Sequence, residues 1–393
     1  MSRDSIAFGK PEDVGISRDR LAVMQDALAH EIDSGKLPGA VTLVARQGRI
    51  VHFKAVGERD PAIGAPMELD AIFRIYSMTK PIVSIAIMQL VEEGRIRLSD
   101  PLHAYLSAFA ESRVATEAGE TRPATRPITI HDLLRHTSGL TYEFLGPPAA
   151  VQAYVNARVS RYDQTNEQQS AALGGLPLVA DPGTRWDYSR STDVLGRVLE
   201  VVTGLTLGQT LSLRIFQPLE MVDTGFRLTP DKLDRLAEPF ATDPDTGAGV
   251  ALLDLTREIV LEIAGGGLVS SAADYARFMH MLASGGTFEG TRIIGRKTLA
   301  FMASDHLAPG LPRGSELLPE GYGFGLGFAV RKAAGIAPFP GSAGDFYWEG
   351  IAGTSFWIDP AEELYALLMV QAPGRREYLR RTFRSLVYAA LTA

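Results

Sequence analysis

Residues 73–82 read Phe73-Arg74-Ile75-Tyr76-Ser77-Met78-Thr79-Lys80-Pro81-Ile82, and the architecture on either side follows from them. A serine hydroxyl is a poor nucleophile until a neighbouring base takes its proton. Lys80 follows Ser77 by three residues, a spacing that on a helix puts both on one face, one turn apart. A desolvated lysine near other positive charge has a lowered pKa and can serve as that base. Ile72, Phe73 and Ile75 form an apolar run that predicts extended chain leading in. Pro81 is tolerated in a first helical turn. Residues 82–93 are apolar nearly all round, which predicts a buried helix. S-x-x-K alone is a weak signal: with 23 serines and 7 lysines, chance supplies roughly half a match. This is the only match, and the competing reading makes Ser77 a helix N-cap and no more.

Upstream, residues 17–34 carry apolar positions at a helical period, with Ser17 as N-cap and Gly35 after the end. Two strand-like runs, 39–46 and 49–55, joined by Gln47-Gly48, predict a β-hairpin. Downstream, 84–238 reads as helices and loops. An exposed loop is expected over 111–127, a short helix over 129–136, helical chain over 149–172 and an irregular stretch over 174–188. A helix over 191–202 is closed by Gly204. After Asp254 strands return. Gly265-Gly266-Gly267 leads into an amphipathic helix over 272–283. Residues 322–331, 345–348, 353–358 and 364–371 read as strands, and 375–391 as a closing helix. The expected fold class is α/β of the α+β type, an antiparallel sheet flanked by N- and C-terminal helices. Residues 1–80 and 255–393 form one discontinuous domain, and 81–254 form an inserted, mostly helical one. The active site is expected in the cleft between them.

Composition excludes several functions. The 393 residues carry a net charge of -7 and a pI of about 5.6, with no basic stripe, which argues against a nucleic-acid partner. Arg375, Arg376, Arg380 and Arg381 read as the solvated face of the closing helix. The absence of cysteine excludes disulfides and thiolate chemistry. No stretch approaches a membrane span. Residues 1–6 show no apolar leader, so a cytoplasmic location is expected. The seven histidines lack H-E-x-x-H or clustered spacing, so no metal and no organic cofactor are expected. His136 reads as a hydrogen-bonded residue at a helix end. G-x-S-x-G is absent, which argues against a Ser-His-Asp hydrolase. The Gly265 run reads as tight backbone packing near the cleft.

Three further motifs keep company with Ser77 and Lys80. They are Leu133-Leu134-Arg135-His136-Thr137-Ser138-Gly139, Pro182-Gly183-Thr184 with Tyr188-Ser189-Arg190, and Trp348-Glu349-Gly350-Ile351-Ala352-Gly353. Their order and spacing resemble the serine β-lactamase and penicillin-binding-protein superfamily, and most of all the class C β-lactamase-like carboxylesterases known as family VIII esterases. The resemblance covers nearly the whole chain and implies a β-lactamase/transpeptidase-like fold. It implies that Ser77 is acylated, that Lys80 is hydrogen-bonded to it, and that Tyr188 shuttles the proton to the leaving group. It further implies that the backbone N–H groups of Ser77 and Ile351 hold the oxyanion. Tyr188 can act as a base only if nearby cations lower its pKa, and Lys80 is the expected source of that charge.

This sequence also departs from the family. Arg190 stands where Tyr-x-Asn has asparagine, and Trp348-Glu349-Gly350 stands where β-lactamases have Lys-Thr-Gly. The change removes a cation and places the Glu349 anion where a β-lactam carboxylate would lie, so β-lactams and peptidoglycan are disfavoured. Trp348 reads as a wall of an acyl or alcohol pocket, with core packing as the alternative. Tyr142 and Phe144 are further pocket candidates on the same terms. The expected activity is a serine carboxylesterase acting on small or short-acyl esters. The alternatives are an acyltransferase using the same acyl-enzyme, a weak β-lactamase or D-amino-acid peptidase, or a non-catalytic binding module on the same fold. The expected partner is a small-molecule ester, with neither nucleic acid nor membrane. The oligomeric state is left open.

Overall fold

The structure, a computed structural model, describes residues 6–116 and 119–392. The leader-free reading of residues 1–6 falls almost wholly outside them. The hairpin expected at Gln47-Gly48 forms the N-terminal part of the sheet. Both turn residues are left-handed, with φ of 51° and 73°, which matches the twist of paired strands. They join Gly39–Arg46 to Arg49–Asp60. Eight strands make one antiparallel sheet in the order Tyr322–Phe324, Ala329–Arg331, Phe346–Glu349, Ser355–Asp359, Leu364–Val370, Gly39–Arg46, Arg49–Asp60, Ala65–Pro66. Both chain ends therefore feed one sheet, with Val41 opposite Met369 at the seam.

Strand alternation sends neighbouring side chains to opposite faces. Trp357 packs on Phe383 of the closing helix Arg376–Tyr388, with ring centroids 5.5 Å apart. Its neighbour Phe356 meets Tyr275 of the helix Ala272–Ala283 at 5.2 Å. The first helix, Arg18–Asp33, packs against the closing helix. The Ser17 hydroxyl caps it by accepting from the Arg20 N–H at 3.3 Å. One contiguous apolar core links these layers to the helices of 79–211.

Four local expectations need correction. Residues 322–331 are not one strand but two, Tyr322–Phe324 and Ala329–Arg331, paired around a corner. Gly327 sits there at φ 96°, and a Cβ on it would lie 2.4 Å from the Ser84 hydroxyl. The glycines let this corner press on the helix behind Ser77. The loop over 111–127 contains a hairpin, Arg113–Ala115 with Thr121–Pro123. The helical chain over 149–172 is two helices, Pro148–Asn156 and Asn166–Gly174. Arg158 at φ 51° separates them, and a capping box at Thr165 starts the second. On the closing helix the solvated-face reading holds for Arg381. Arg380 and Arg384 are only 7% and 6% exposed, because the sheet face beneath them offers the carboxylates of Glu349 and Asp345.

Candidate active site

The stretch that opens the sequence reading is held from several sides. Ile72–Arg74 pairs antiparallel with Val269–Ser271. The Ile75 N–H donates to the Leu268 carbonyl at 3.1 Å, and the Leu268 N–H donates to Thr79 Oγ1 at 3.2 Å. The Tyr275 hydroxyl donates to the Met78 carbonyl at 3.0 Å. A short 3₁₀ turn, Tyr76–Met78, then runs into the helix Thr79–Glu92. The residue before that helix is Met78 and no side chain caps it, so Ser77 does not serve as the N-cap. Tyr76 sits at φ 43°, uncommon for a bulky residue and costly unless held. Its hydroxyl accepts from the Leu253 N–H at 2.9 Å.

Lys80 lies one turn on, as the spacing requires. Its Nζ donates to Ser77 Oγ at 3.2 Å and to the Gly265 carbonyl at 2.6 Å. Lys80 is 1% exposed, and its hydrogen-bonding partners are neutral oxygens. Burial is the main reason its pKa falls from the ordinary 10.5 to about 7; Asp193 opposes that shift and Arg190 adds to it. Here the amine is poised between charged and neutral forms near neutral pH.

Tyr188 is brought to the same point. Its hydroxyl lies within hydrogen-bonding reach of Ser77 and accepts from Trp348 Nε1 at 3.3 Å. Lys80 Nζ sits 4.5 Å from the centre of the Tyr188 ring. The expected lowering of the phenol does not occur. Burial dominates and raises its pKa, against the hydrogen bonds from Ser77 and Trp348. Tyr188 is thus a neutral phenol at rest. His136 packs against the Tyr188 ring at 4.9 Å, and its Nδ1 lies 3.3 Å from Ser189 Oγ. Burial, then Lys80, keeps it far below its usual pKa, so it is a neutral packing residue.

Aromatic rings wall this point. Trp348 meets Tyr188 and Phe324, each at 5.2 Å. Tyr142 lies 5.5 Å from Tyr188 and stacks on Phe144 at 4.9 Å. Phe144 is 61% exposed and so forms a rim, not a floor. Arg190 is buried behind Tyr142, its guanidinium 4.8 Å from that ring. It pairs with Glu143 at 3.2 Å and with Asp193 at 3.4 Å. A guanidinium held by two carboxylates stays charged, and those partners raise its pKa against the burial that lowers it.

Glu349 is not brought to the site. It alternates with Trp348 along Phe346–Glu349, so its carboxylate emerges on the other sheet face and takes a hydrogen bond from Arg380 at 2.7 Å. The expectation that Glu349 places an anion where a β-lactam carboxylate would lie is overturned by strand geometry. Gly350 ends the strand against the nucleophile turn; a Cβ on it would lie 2.5 Å from the Ile75 carbonyl. Ile351 follows in an open turn with its side chain 51% exposed.

Two contributors were not singled out from sequence, Asp193 and Glu143. Asp193 accepts from the Gly265 N–H at 2.9 Å, and the carbonyl of the same glycine holds Lys80. A Cβ on Gly265 would lie 2.9 Å from Asp193, so the glycine run was the available signal. Glu143 sits beside the candidates Tyr142 and Phe144, but only its long-range partner reveals it. A cavity of about 710 Å³ lined by Phe216, Met221, Val222 and Arg227 lies elsewhere and includes none of these residues.

The beta-lactamase family model matches residues 24–390. Esterase EstB of Burkholderia gladioli is 31% identical over 390 residues, covering 94% of this chain and 95% of that protein. EstCE1, described as a hydrolase with promiscuous acyltransferase activity, superposes with a TM-score of 0.79 at 28% identity, covering 94% and 99% of the two chains. A simvastatin synthase mutant from Aspergillus terreus gives a TM-score of 0.78 at 26% identity, covering 95% and 98%. No helix among the described residues is long and apolar enough to cross a membrane.

Proposed function

Because the chain belongs to the beta-lactamase family, we propose that it is a serine carboxylesterase working through an acyl-enzyme on Ser77. One observation carries this reading. A buried amine with a pKa near 7 lies 3.2 Å from a serine hydroxyl and, among the described residues, donates to no carboxylate. Neutral Lys80 takes the Ser77 proton as Oγ attacks the ester carbonyl. The N–H groups of Ser77 and Ile351 hold the oxyanion. Tyr188 then gives its proton to the departing alkoxide, and the Lys80 ammonium restores it. Water repeats the cycle on the acyl-enzyme, releasing the acid and Ser77. An alkoxide leaves more readily than an amine, so this machinery needs less help with esters than with peptides.

Trp348, Tyr142 and Phe144 offer apolar surface for a small acyl or alcohol group. Arg190, neutralised by Glu143 and Asp193, presents no free charge to an anionic substrate. The case against β-lactams now rests on Trp348 in place of a lysine. The two lobes of this reading are 1–80 with 255–393, and 81–254, with the reaction between them. A cytoplasmic location is part of the proposal, and cell fractionation tests it. Acyl transfer to an alcohol is the second reading, favoured by the likeness to EstCE1; product analysis with added alcohols distinguishes it.

The deciding experiment compares p-nitrophenyl butyrate with the chromogenic β-lactam nitrocefin, for wild type and Ser77→Ala. Ester cleavage should fall by at least about 10⁴-fold in the variant, with little nitrocefin turnover in either protein. Full activity in Ser77→Ala would remove the acyl-enzyme reading. Nitrocefin turnover matching the ester rate would put the β-lactamase alternative first.

A further inference from the structure

Arg380 stands across the sheet from Ser77, in the layer of the closing helix, yet it grips the turn that carries Ile351. Its guanidinium donates to the Gly350 carbonyl, and at 3.3 Å to the Thr354 carbonyl. It also donates to the Glu349 carboxylate at 2.7 Å and to Glu377 at 3.3 Å. The residue is 7% exposed, so these bonds are made in a desolvated setting.

The Gly350 carbonyl and the Ile351 N–H belong to one peptide unit. That unit is planar and trans, and no cis peptide occurs among the described residues. In a trans unit the two groups point in opposite directions. A donor that holds the carbonyl from the helix side therefore turns the N–H the other way, toward the Ser77 cleft. The Gly353 N–H donates to the same carbonyl at 3.0 Å, and the Gly350 N–H donates to the Thr354 carbonyl at 2.8 Å. Further along, the Ala352 carbonyl accepts from the Ala372 N–H at 2.7 Å and the Thr354 hydroxyl donates to the Ile75 carbonyl at 3.4 Å, but at Ile351 itself the turn is lightly held. Two glycines flank it, Gly353 is at φ 113°, and the half-exposed Ile351 side chain gives little anchorage.

We propose that Arg380 is a positioning residue for the reaction: its hydrogen bond to the Gly350 carbonyl fixes the peptide plane that aims the Ile351 N–H at the developing oxyanion. This rests on the reading of Ile351 as an oxyanion donor given above. Glu349, the residue between Trp348 and Gly350, then acts from behind the sheet by holding Arg380 in place.

The test uses Arg380→Lys and Arg380→Gln on the full chain, with p-nitrophenyl butyrate as substrate and butylboronic acid as a tetrahedral mimic on Ser77. A lysine keeps the charge beside Glu349 but loses the fork that reaches two carbonyls. Removing one oxyanion donor outright costs about 10²–10³-fold. A misaimed donor should lower kcat about 10–100-fold with KM within about twofold. Boronate affinity should weaken in parallel with kcat/KM, a correlation that loss of folded protein does not produce. If Arg380→Gln does not fold, Arg380→Lys and the neutral pair Glu349→Gln with Arg380→Gln decide. A folded variant with kcat and boronate affinity within about twofold of wild type overturns the proposal. The Ser77→Ala assay separates the two levels. An active Ser77→Ala sinks the acyl-enzyme reading itself, whereas an inactive one beside a wild-type-like Arg380→Lys removes only the role of Arg380.

Discussion

The two faces of the sheet treat buried positive charge in opposite ways. Toward the closing helix, Asp345 takes bonds from Arg331 at 2.7 Å and from Arg384 at 2.6 Å, and Glu349 takes one from Arg380. Toward Ser77, Lys80 is just as buried but is held by a hydroxyl and a carbonyl. Arginine beside carboxylate stays charged and holds structure together. A lysine without a carboxylate in contact loses its grip on the proton and becomes available for chemistry. Arg190 shows the first behaviour against the same Tyr142 ring that Lys80 approaches, because Glu143 and Asp193 are there to hold it.

The largest expected effects form a pair that breaks this comparison from each side. Lys80→Met should lower kcat by about 10³-fold, the usual contribution of a general base, without loss of stability near pH 7. Asp345→Ala should do the reverse. It strands two buried guanidiniums and should cost about 3–5 kcal/mol of stability, read from urea denaturation, while kcat per folded molecule stays near wild type. If Lys80→Met unfolds the protein and Asp345→Ala does not, the contrast between the faces is wrong.

Titration sharpens the comparison further. The Lys80 pKa is depressed to about 7, and on the proposed mechanism its neutral form is the base. Accordingly kcat/KM should rise with pH through about 7 and then level off. Between that value and the ordinary 10.5 the native state binds fewer protons than the unfolded chain. Lys80 therefore makes stability rise with pH across this window, and below it the contribution is constant and least favourable. Lys80→Met should flatten that slope. Arg190→Gln removes a neighbour that lowers the Lys80 pKa, so the rate limb should move to higher pH. Asp193→Asn removes one that raises it, so the limb should move lower. Two shifts in the same direction would show that these residues do not act through Lys80.

The smallest effect is expected from Trp348→Phe. It keeps an aromatic wall but removes the hydrogen bond to Tyr188. A neutral hydrogen bond is worth about 1 kcal/mol, so kcat should drop about fivefold. An unchanged kcat would reduce Trp348 to packing.

Much of what depended on neighbours in sequence was legible in the sequence itself. The Gln47-Gly48 hairpin, the Ser17 cap and the helix closed by Gly204 each follow from local backbone preference. The face shared by Ser77 and Lys80 follows from helical spacing. What was not legible depends on distant chain. Nothing near Lys80 in sequence says that its second partner is the Gly265 carbonyl, or that burial outweighs the hydrogen bonds of Ser77 and Trp348 at Tyr188. Arg380 looked like surface because a basic, amphipathic helix usually is one. Only the register of Glu349 against Ser355 shows a carboxylate beneath it. The Glu349 misplacement has the same root: a motif aligned in one dimension ignores that successive strand residues face opposite ways.

The turn at Tyr76 bears on how this scaffold can be redesigned. The loop passing Leu253 is gripped through its backbone, its N–H by the Tyr76 hydroxyl and its carbonyl by Arg74 Nε at 2.6 Å. The side chain at position 253 takes no part in either bond. The Leu253 side chain is nonetheless buried, 9% exposed, so loop grafting there should accept other apolar residues, provided the incoming backbone keeps that path. Proline is the clear exception, since it has no N–H to offer. A graft library could therefore be filtered by two criteria, the backbone path and an apolar residue at position 253.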